Sequence, residues 1–206
     1  MSALVVTLLG VCRRVGGSGT WFLGPFILTA GAMLPTLLHR DGRLSDLGFQ
    51  LGRMRRDAWL LVMTCAGMLA LGFAGVLVLK HLSIEPPARI SIPTEGLPLW
   101  ILFQFMYVAL PEELFFRGYI LSNSMKLRQE AATSASSLWI WATQVFSAGL
   151  FALSHVLVSG QAASSLTFLP GLIFAWIYVR VGSLVPLVLL HGAANIGYAL
   201  VLETIV

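Results

Sequence analysis

Residues 97–121 read LPLWILFQFMYVALPEELFFRGYIL, an apolar run as long as a membrane span that nevertheless contains three charged residues. Glu112 and Glu113 are adjacent, and Arg117 follows one helical turn later. A charged side chain near the bilayer centre costs about 2.5–3.5 kcal/mol on insertion scales. A span that keeps three of them is expected to use them. The run therefore predicts a membrane helix and also marks where the chemistry of the protein lies.

The composition of the whole chain is that of a membrane protein. Of its 206 residues, 57% are hydrophobic and 11% are charged, whereas soluble domains carry about 25% charged residues. The formal net charge is +4, but many of the basic residues lie in the connections between apolar segments. They form no solvated patch with interleaved aromatic residues, so we expect no nucleic-acid partner. The expected surroundings are the lipid bilayer.

Six segments are long and apolar enough to cross a bilayer, which takes roughly 20 residues. We expect residues 1–12, which are apolar but short, to form an interfacial or partly inserted helix. The expected fold is an all-α polytopic membrane helix bundle with about six transmembrane helices plus a short N-terminal helix. It forms a single membrane-embedded domain over residues 1–206. The predicted spans are residues 21–38, 58–82, 97–121, 138–158, 163–180 and 183–203.

The connections between the spans predict their orientation. Residues 39–57 contain five arginines and are expected to be cytoplasmic, because positively charged loops stay inside. Residues 83–96 are Pro-rich with one basic residue and are expected outside. Arginine outnumbers lysine by eleven to two, which hints at a GC-rich bacterial genome. The expected location is therefore the inner (plasma) membrane of a bacterium.

The charged residues of the third span divide into two groups. Glu113 and Arg117 are four residues apart, so they share a helix face and can pair across one turn. Glu112 points about 100° away around the helix and is free of that pair. Pro111 removes a backbone donor and can kink the helix, which would open space beside Glu112. The alternative is a structural ion pair with a spare carboxylate at a helix end.

Two further polar pairs interrupt later spans, each with a spacing of four residues: Phe151 with His155, and His191 with Asn195. A histidine on an apolar face is commonly a satisfied interior residue, and a His–Asn pair can serve only to hold helices together. Three polar islands on three different spans favour a shared site instead. The small residues around the last island (GAANIG) would allow the helices to approach closely there.

These residues resemble the three motifs of the CAAX protease and bacteriocin-processing family, also called the Abi family. The motifs EExxxR, FxxxH and HxxxN match Glu112, Glu113 and Arg117, then Phe151 and His155, then His191 and Asn195. The resemblance covers about residues 97–200. It implies an intramembrane endopeptidase of the glutamic type, which acts on a membrane-associated protein or peptide. Residues 1–96 carry no recognisable motif, so the resemblance implies no particular substrate.

The resemblance also implies a role for each motif residue. Glu112 and His155 would activate a water, for which both side chains must lie about 2.6–3.2 Å from it. His191 and Asn195 would stabilise the oxyanion of the tetrahedral intermediate. The supporting residues would be Glu113, Arg117 and Phe151. No metal or cofactor is expected.

Three alternatives stay open at this point. A zinc-dependent protease could use Glu112, His155 and His191 as a His₂Glu site, although no HExxH occurs. A proton-coupled carrier could use the same groups as a proton relay, although the chain has no internal repeat of the kind that builds many transporters. A non-catalytic immunity scaffold would not need the full motif set. Candidate substrates are a prenylated C-terminus, a leader peptide, a membrane-anchored regulator and a C-terminal sorting signal.

Overall fold

The computed structural model describes residues 2–16, 23–38, 47–48, 58–86, 91–131 and 137–205, and within these ranges the chain forms helices and no β-strand. A 3₁₀ turn, Ala162–Thr167, leads directly into the sixth helix. This architecture confirms the predicted all-α bundle. The helices are α1 (Ser2–Gly16), α2 (Gly24–Leu38), α3 (Ala58–His81), α4 (residues 97–131), α5 (Ser137–Ser159), α6 (Phe168–Val181) and α7 (Leu184–Ile205).

Five helical segments of the described chain have the length and composition of a membrane span: Val62–His81, Leu97–Lys126, Ser137–Ser159, Ala162–Val181 and Leu184–Ile205. The first predicted span, residues 21–38, corresponds to α2, which has 15 residues and falls below that length. Helix α2 begins at Gly24 with Pro25 in its first turn, a position where proline favours a helix start. Fifteen residues measure about 22 Å, less than the hydrocarbon core of about 30 Å.

The short N-terminal helix α1 packs within the bundle, against α2 and α5. Its residues Val5, Val6 and Leu9 are buried. Gly10 lies against Leu157 of α5, with 3.6 Å between the Leu157 Cβ and the place where a Cβ of residue 10 would be. The first turns of the chain are therefore part of the hydrophobic core.

The core surrounds the middle of α4, which is contacted by α2, α5 and α7. Helix α7 approaches its neighbours closely at two glycines, as the GAANIG sequence predicts. A Cβ at Gly192 would collide with the ring of Phe105 on α4, and one at Gly197 would collide with Leu69 on α3. These contacts bring the third motif into direct contact with the helix that carries the first.

Helix α4 is continuous but irregular. The α-helical turn Leu110–Glu113 lies between two π-helical stretches, Gln104–Ala109 and Leu114–Leu121. A π turn is wider than an α turn and occurs often at functional sites. Pro111 has no N–H, and the sequence therefore allowed a sharp kink here. The structure shows wider, π-helical turns on both sides of Pro111 instead. The helix also continues to Ala131, beyond the predicted end at residue 121.

One short piece of the basic connection enters the bundle. Leu47 is 2% exposed, and the carbonyl of Gly48 accepts a hydrogen bond of 2.9 Å from the N–H of Leu184 at the start of α7. Gly48 has a φ of 88°, and a Cβ there would lie 2.5 Å from the Tyr178 hydroxyl. A Cβ on Gly118 of α4 would lie 2.7 Å from the Leu47 carbonyl oxygen. Glycine is therefore required at both positions where this segment meets the helices.

Candidate active site

The ion pair predicted within α4 is present. Arg117 Nη1 donates to Glu113 Oε1 at 3.0 Å, and both side chains are 0% exposed. Arg117 Nη2 donates to the carbonyl of Gly171 on α6 at 2.9 Å. Further hydrogen bonds offset part of the desolvation cost of a buried ion pair, and here Arg117 Nε and Glu113 Oε2 are left without a partner among the described residues. Through the Gly171 carbonyl, the pair also fixes α6 against α4.

Aromatic rings surround the buried guanidinium. The Cζ atom of Arg117 lies 4.6 Å from the ring centroid of Phe151, 5.3 Å from that of Phe174 and 6.0 Å from that of Phe116. A cation near an aromatic ring is attracted by the ring quadrupole, and the attraction is strongest away from water. These rings compensate part of the lost hydration of Arg117, and they bring α5 and α6 into the site.

His191 connects the two carboxylates. Its Nδ1–H donates to Glu113 Oε1 at 2.7 Å, and its Nε2 lies 3.6 Å from Glu112 Oε2. The ring of Phe174 stacks on the imidazole, with centroids 4.9 Å apart and an interplanar angle of 26°. A carboxylate on one ring nitrogen fixes the orientation of a histidine and leaves the other nitrogen for the reaction. Here that other nitrogen is Nε2, which faces Glu112.

The two adjacent glutamates have different surroundings. The Glu113 side chain is 0% exposed and holds Arg117 and His191, whereas that of Glu112 is 18% exposed. The distance from Glu112 Oε2 to His191 is too long for a hydrogen bond, and this oxygen has no hydrogen-bond partner among the described residues. Glu113 Oε2 likewise has no hydrogen-bond partner there, so the two carboxylates differ mainly in that Glu112 is partly exposed.

His155 lies one helical turn after Phe151 on α5 and contacts it. Its Nδ1 lies 3.0 Å from the carbonyl oxygen of Phe151, and the two rings are 4.4 Å apart at their centroids. The Phe151 ring also lies 6.0 Å from that of His191. Because a carbonyl oxygen can only accept, this contact assigns the proton to Nδ1 and leaves Nε2 of His155 as an acceptor.

Asn195 lies one turn beyond His191 on α7 and meets a residue that the sequence analysis did not single out. Its Nδ2 donates to Oε1 of Gln104 at 3.4 Å, and Gln104 is 5% exposed. The signal for Gln104 was present in the sequence: it is the single amide side chain in LPLWILFQFMYVAL, ahead of the charged turn. Phe174 gave no such signal, because nothing distinguishes it from the other apolar residues of α6.

Contacts thus join six of the seven motif residues into one cluster, and the seventh, Asn195, lies on the same helix as His191. The six are Glu112, Glu113, Arg117, Phe151, His155 and His191. The shared water between Glu112 and His155 and the joint oxyanion contact of His191 and Asn195 stay predictions. In the part of the chain that the structure describes, no three or more His, Cys, Asp or Glu side chains are grouped so that they could hold a metal ion.

Apolar helices that bury bonded carboxylate, guanidinium and imidazole groups are typical of membrane proteins with a functional site between their helices. A family model described as "Type II CAAX prenyl endopeptidase Rce1-like" matches residues 94–197, just over half of the chain. The chain belongs to this family of CAAX proteases, and membership supports intramembrane protease activity. The match extends from the start of α4 into α7 and contains all three motifs. No curated protein and no solved structure matches the chain significantly.

Proposed function

We propose that the protein is a glutamic-type intramembrane endopeptidase that hydrolyses a peptide bond of a membrane-associated protein or peptide. The observation that carries this proposal is the 2.7 Å hydrogen bond between His191 and Glu113, which directs the other ring nitrogen of His191 toward Glu112. A purely structural ion pair between Glu113 and Arg117 would not need a histidine from another helix, nor a second carboxylate beside it. The arrangement supports an assembled reaction site.

In the proposed mechanism, Glu112 is the general base. Its unpaired Oε2 takes a proton from a water molecule, whose oxygen attacks the carbonyl carbon of the scissile bond. His155 accepts a hydrogen bond from the same water at Nε2, since its Nδ1–H is engaged by the Phe151 carbonyl. When the carbon–nitrogen bond breaks, Glu112 returns the proton to the leaving amine. Each proton is thereby accounted for without another reactant.

His191 and Asn195 stabilise the oxyanion in this mechanism. For His191 to donate from Nε2 as well as from Nδ1, its ring must carry both protons. Glu113 and Glu112, at 2.7 and 3.6 Å from the two ring nitrogens, supply the compensating charge. With both glutamates ionised and Arg117 and His191 protonated, the site has no net charge, which suits a low-dielectric interior. A single oxyanion donor contributes about 2.7–4 kcal/mol.

The proposed substrate is a peptide carried on a prenylated C-terminus in the bacterial inner membrane. The description of the matching family names CAAX prenyl endopeptidases, which supports this class. A leader peptide, a membrane-anchored regulator and a C-terminal sorting signal are the other substrates that the site would accept chemically. The proposed mechanism involves no metal or cofactor.

A fluorogenic peptide with a farnesylated cysteine followed by three residues tests the proposal. We expect the purified protein in lipid nanodiscs to release the three residues, and water enriched in the heavy oxygen isotope to label the new carboxylate. Glu112→Gln removes the base with little change of volume and should lower kcat by about 10²–10⁴-fold with an unchanged unfolding temperature. Glu203→Gln, an exposed glutamate near the far end of α7, is the matched control and should cleave normally.

Cleavage by Glu112→Gln at the wild-type rate would overturn the mechanism. If the wild-type protein leaves the farnesylated peptide intact, the protein termini of cell membranes that carry wild type or Glu112→Gln are compared by mass spectrometry. A terminus that changes only with the wild type would correct the substrate class and keep the protease. Proton-linked uptake without any changed terminus would favour the carrier instead.

A further inference from the structure

Gln104 is a polar residue in a place where polarity is costly. It opens the first π-helical stretch of α4, between Phe103 and Phe105, and is 5% exposed. The face of α4 on which it lies packs on α7, where the Phe105 ring meets Gly192. An amide buried among apolar groups is destabilising unless it is hydrogen-bonded. The partner that the structure provides is Asn195, whose Nδ2 donates to Gln104 Oε1.

The direction of this hydrogen bond matters for Asn195. A carboxamide carries two N–H donors on one end and an acceptor oxygen on the other, and the two ends have nearly the same shape. Only the nitrogen end can stabilise an oxyanion, because the oxygen end would repel it. Gln104 Oε1 takes one N–H of Nδ2, which sets the nitrogen end toward α4 and leaves the second N–H on the same atom.

We propose that Gln104 is a positioning residue, which holds the carboxamide of Asn195 with its nitrogen toward the carbonyl oxygen of the substrate. This inference rests on the proposed function, in which Asn195 stabilises the oxyanion. The distance of 3.4 Å is longer than the usual N–H···O range of about 2.7–3.2 Å, so the contact adds little to the stability of the fold, and the role proposed for it is to set which end of the amide faces α4. Gln104 is the first residue of the π-helical stretch Gln104–Ala109, and this stretch packs against α7.

Three variants separate positioning from packing, with cleavage of the farnesylated fluorogenic peptide as the assay. Gln104→Leu removes the acceptor and should lower kcat about 10-fold with KM within about twofold, because the lost interaction matters in the transition state. Gln104→Met keeps the length of the side chain but offers only a weak acceptor, so it should lower kcat to about the same extent as Gln104→Leu. Gln144→Leu is the matched control: Gln144 is 2% exposed, but its amide donates to Ile140 of its own helix. It should cleave like the wild type.

A double-mutant cycle with Asn195→Ala tests whether Gln104 acts through Asn195. In the Asn195→Ala background, Gln104→Leu should cost no further kcat, since there is no amide left to orient. The same cycle measured by thermal unfolding needs no substrate. There the two single shifts should not add, because the two side chains contact each other.

Each unfavourable result has a distinct meaning. An equal loss of kcat from Gln104→Leu with and without Asn195, or additive unfolding shifts, would overturn the positioning role. Wild-type cleavage by Gln104→Met would overturn it too, since it would indicate that Gln104 only fills space against α7. Undiminished cleavage by Glu112→Gln would instead contradict the proposed function. The double-mutant cycle measured by thermal unfolding would still show whether Gln104 and Asn195 interact.

Discussion

Helices α3 and α4 are both apolar membrane spans, yet they are built differently. Helix α3 is a regular α-helix over its 24 residues. Of an apolar stretch of 18 residues in α3, 11% is buried inside the protein. Helix α4 alternates between α and π geometry, and 39% of an equally long apolar stretch in it is buried. The side chains of α3 mostly face outward, where lipid solvates them. Those of α4 include the Glu113–Arg117 ion pair, which makes further hydrogen bonds to α6 and α7.

The difference shows what an intramembrane site requires of its helix. A helix that faces lipid needs only length and apolar side chains, so it can stay regular. A helix that carries charge needs partners for its polar groups, either on its own face, as Arg117 is for Glu113, or on a neighbouring helix, as His191 is. The two π-helical stretches of α4 flank its charged turn, so irregular geometry occurs next to the groups that need partners.

The largest effect within this comparison is expected at Glu113. Glu113→Gln leaves Arg117 and His191 without their shared charged partner, and breaking a buried ion pair typically costs about 3–5 kcal/mol. We expect a lower unfolding temperature together with lower cleavage of the farnesylated peptide. Phe73→Ala on α3, at a residue that is 46% exposed, should change neither much. Loss of activity at an unchanged unfolding temperature would show that Glu113 contacts the substrate itself.

A smaller effect is expected from glycine substitutions that compare the two helices directly. Gly118→Ala on α4 places a methyl group 2.7 Å from the Leu47 carbonyl oxygen, and overpacking of this kind costs about 1–3 kcal/mol. Gly72→Ala on α3 meets nothing within 4 Å and should be neutral or stabilising by up to about 1 kcal/mol. Thermal unfolding in nanodiscs measures both. Equal shifts of the unfolding temperature for the two variants would contradict the proposed difference in packing between α3 and α4.

The smallest effect is expected from removal of metal. If the polar groups around α4 act without a metal ion, extensive dialysis against a chelator should leave cleavage unchanged. Metal analysis of the protein before and after dialysis is the control. Zinc at one equivalent that is lost together with activity, and restores it when added back, would establish the alternative in which Glu112, His155 and His191 bind the metal.

The sequence predicted most of the helices because a helix that crosses a bilayer needs about 20 mostly apolar residues, and such stretches are visible in the sequence. It also predicted the pairing of Glu113 with Arg117, since both lie on one helix at a spacing that brings side chains together. The continuation of α4 past residue 121 was missed, because Ser122–Ala131 is polar and hydropathy ends the span before it. The predicted first span begins three residues before α2, because residues 21–23 (WFL) are also apolar, and it ends with α2 at residue 38.

The contacts between helices could not be read from the chain. The partner of Glu113 on α7 is 78 residues away, and no local spacing relates Glu113 to His191. The motifs indicated that these residues share a site, but not that Glu113 would bind the imidazole. Gln104 was overlooked because a single glutamine in an apolar run has no meaning until its neighbour is known. The π-helical stretches depend on packing against other helices, which leaves no simple pattern in the sequence.

The contact between the Gly48 carbonyl and the N–H of Leu184 also determines when, during synthesis, the helix bundle can be completed. The ribosome synthesises residues 47–48 and the charged turn of α4 long before α7. Until α7 has entered the membrane, Gly48 lacks its donor and Glu113 lacks His191. In the proposed mechanism the protein therefore becomes active only once α7 has been inserted, and a nascent chain that stalls earlier would not cleave the membrane proteins around it.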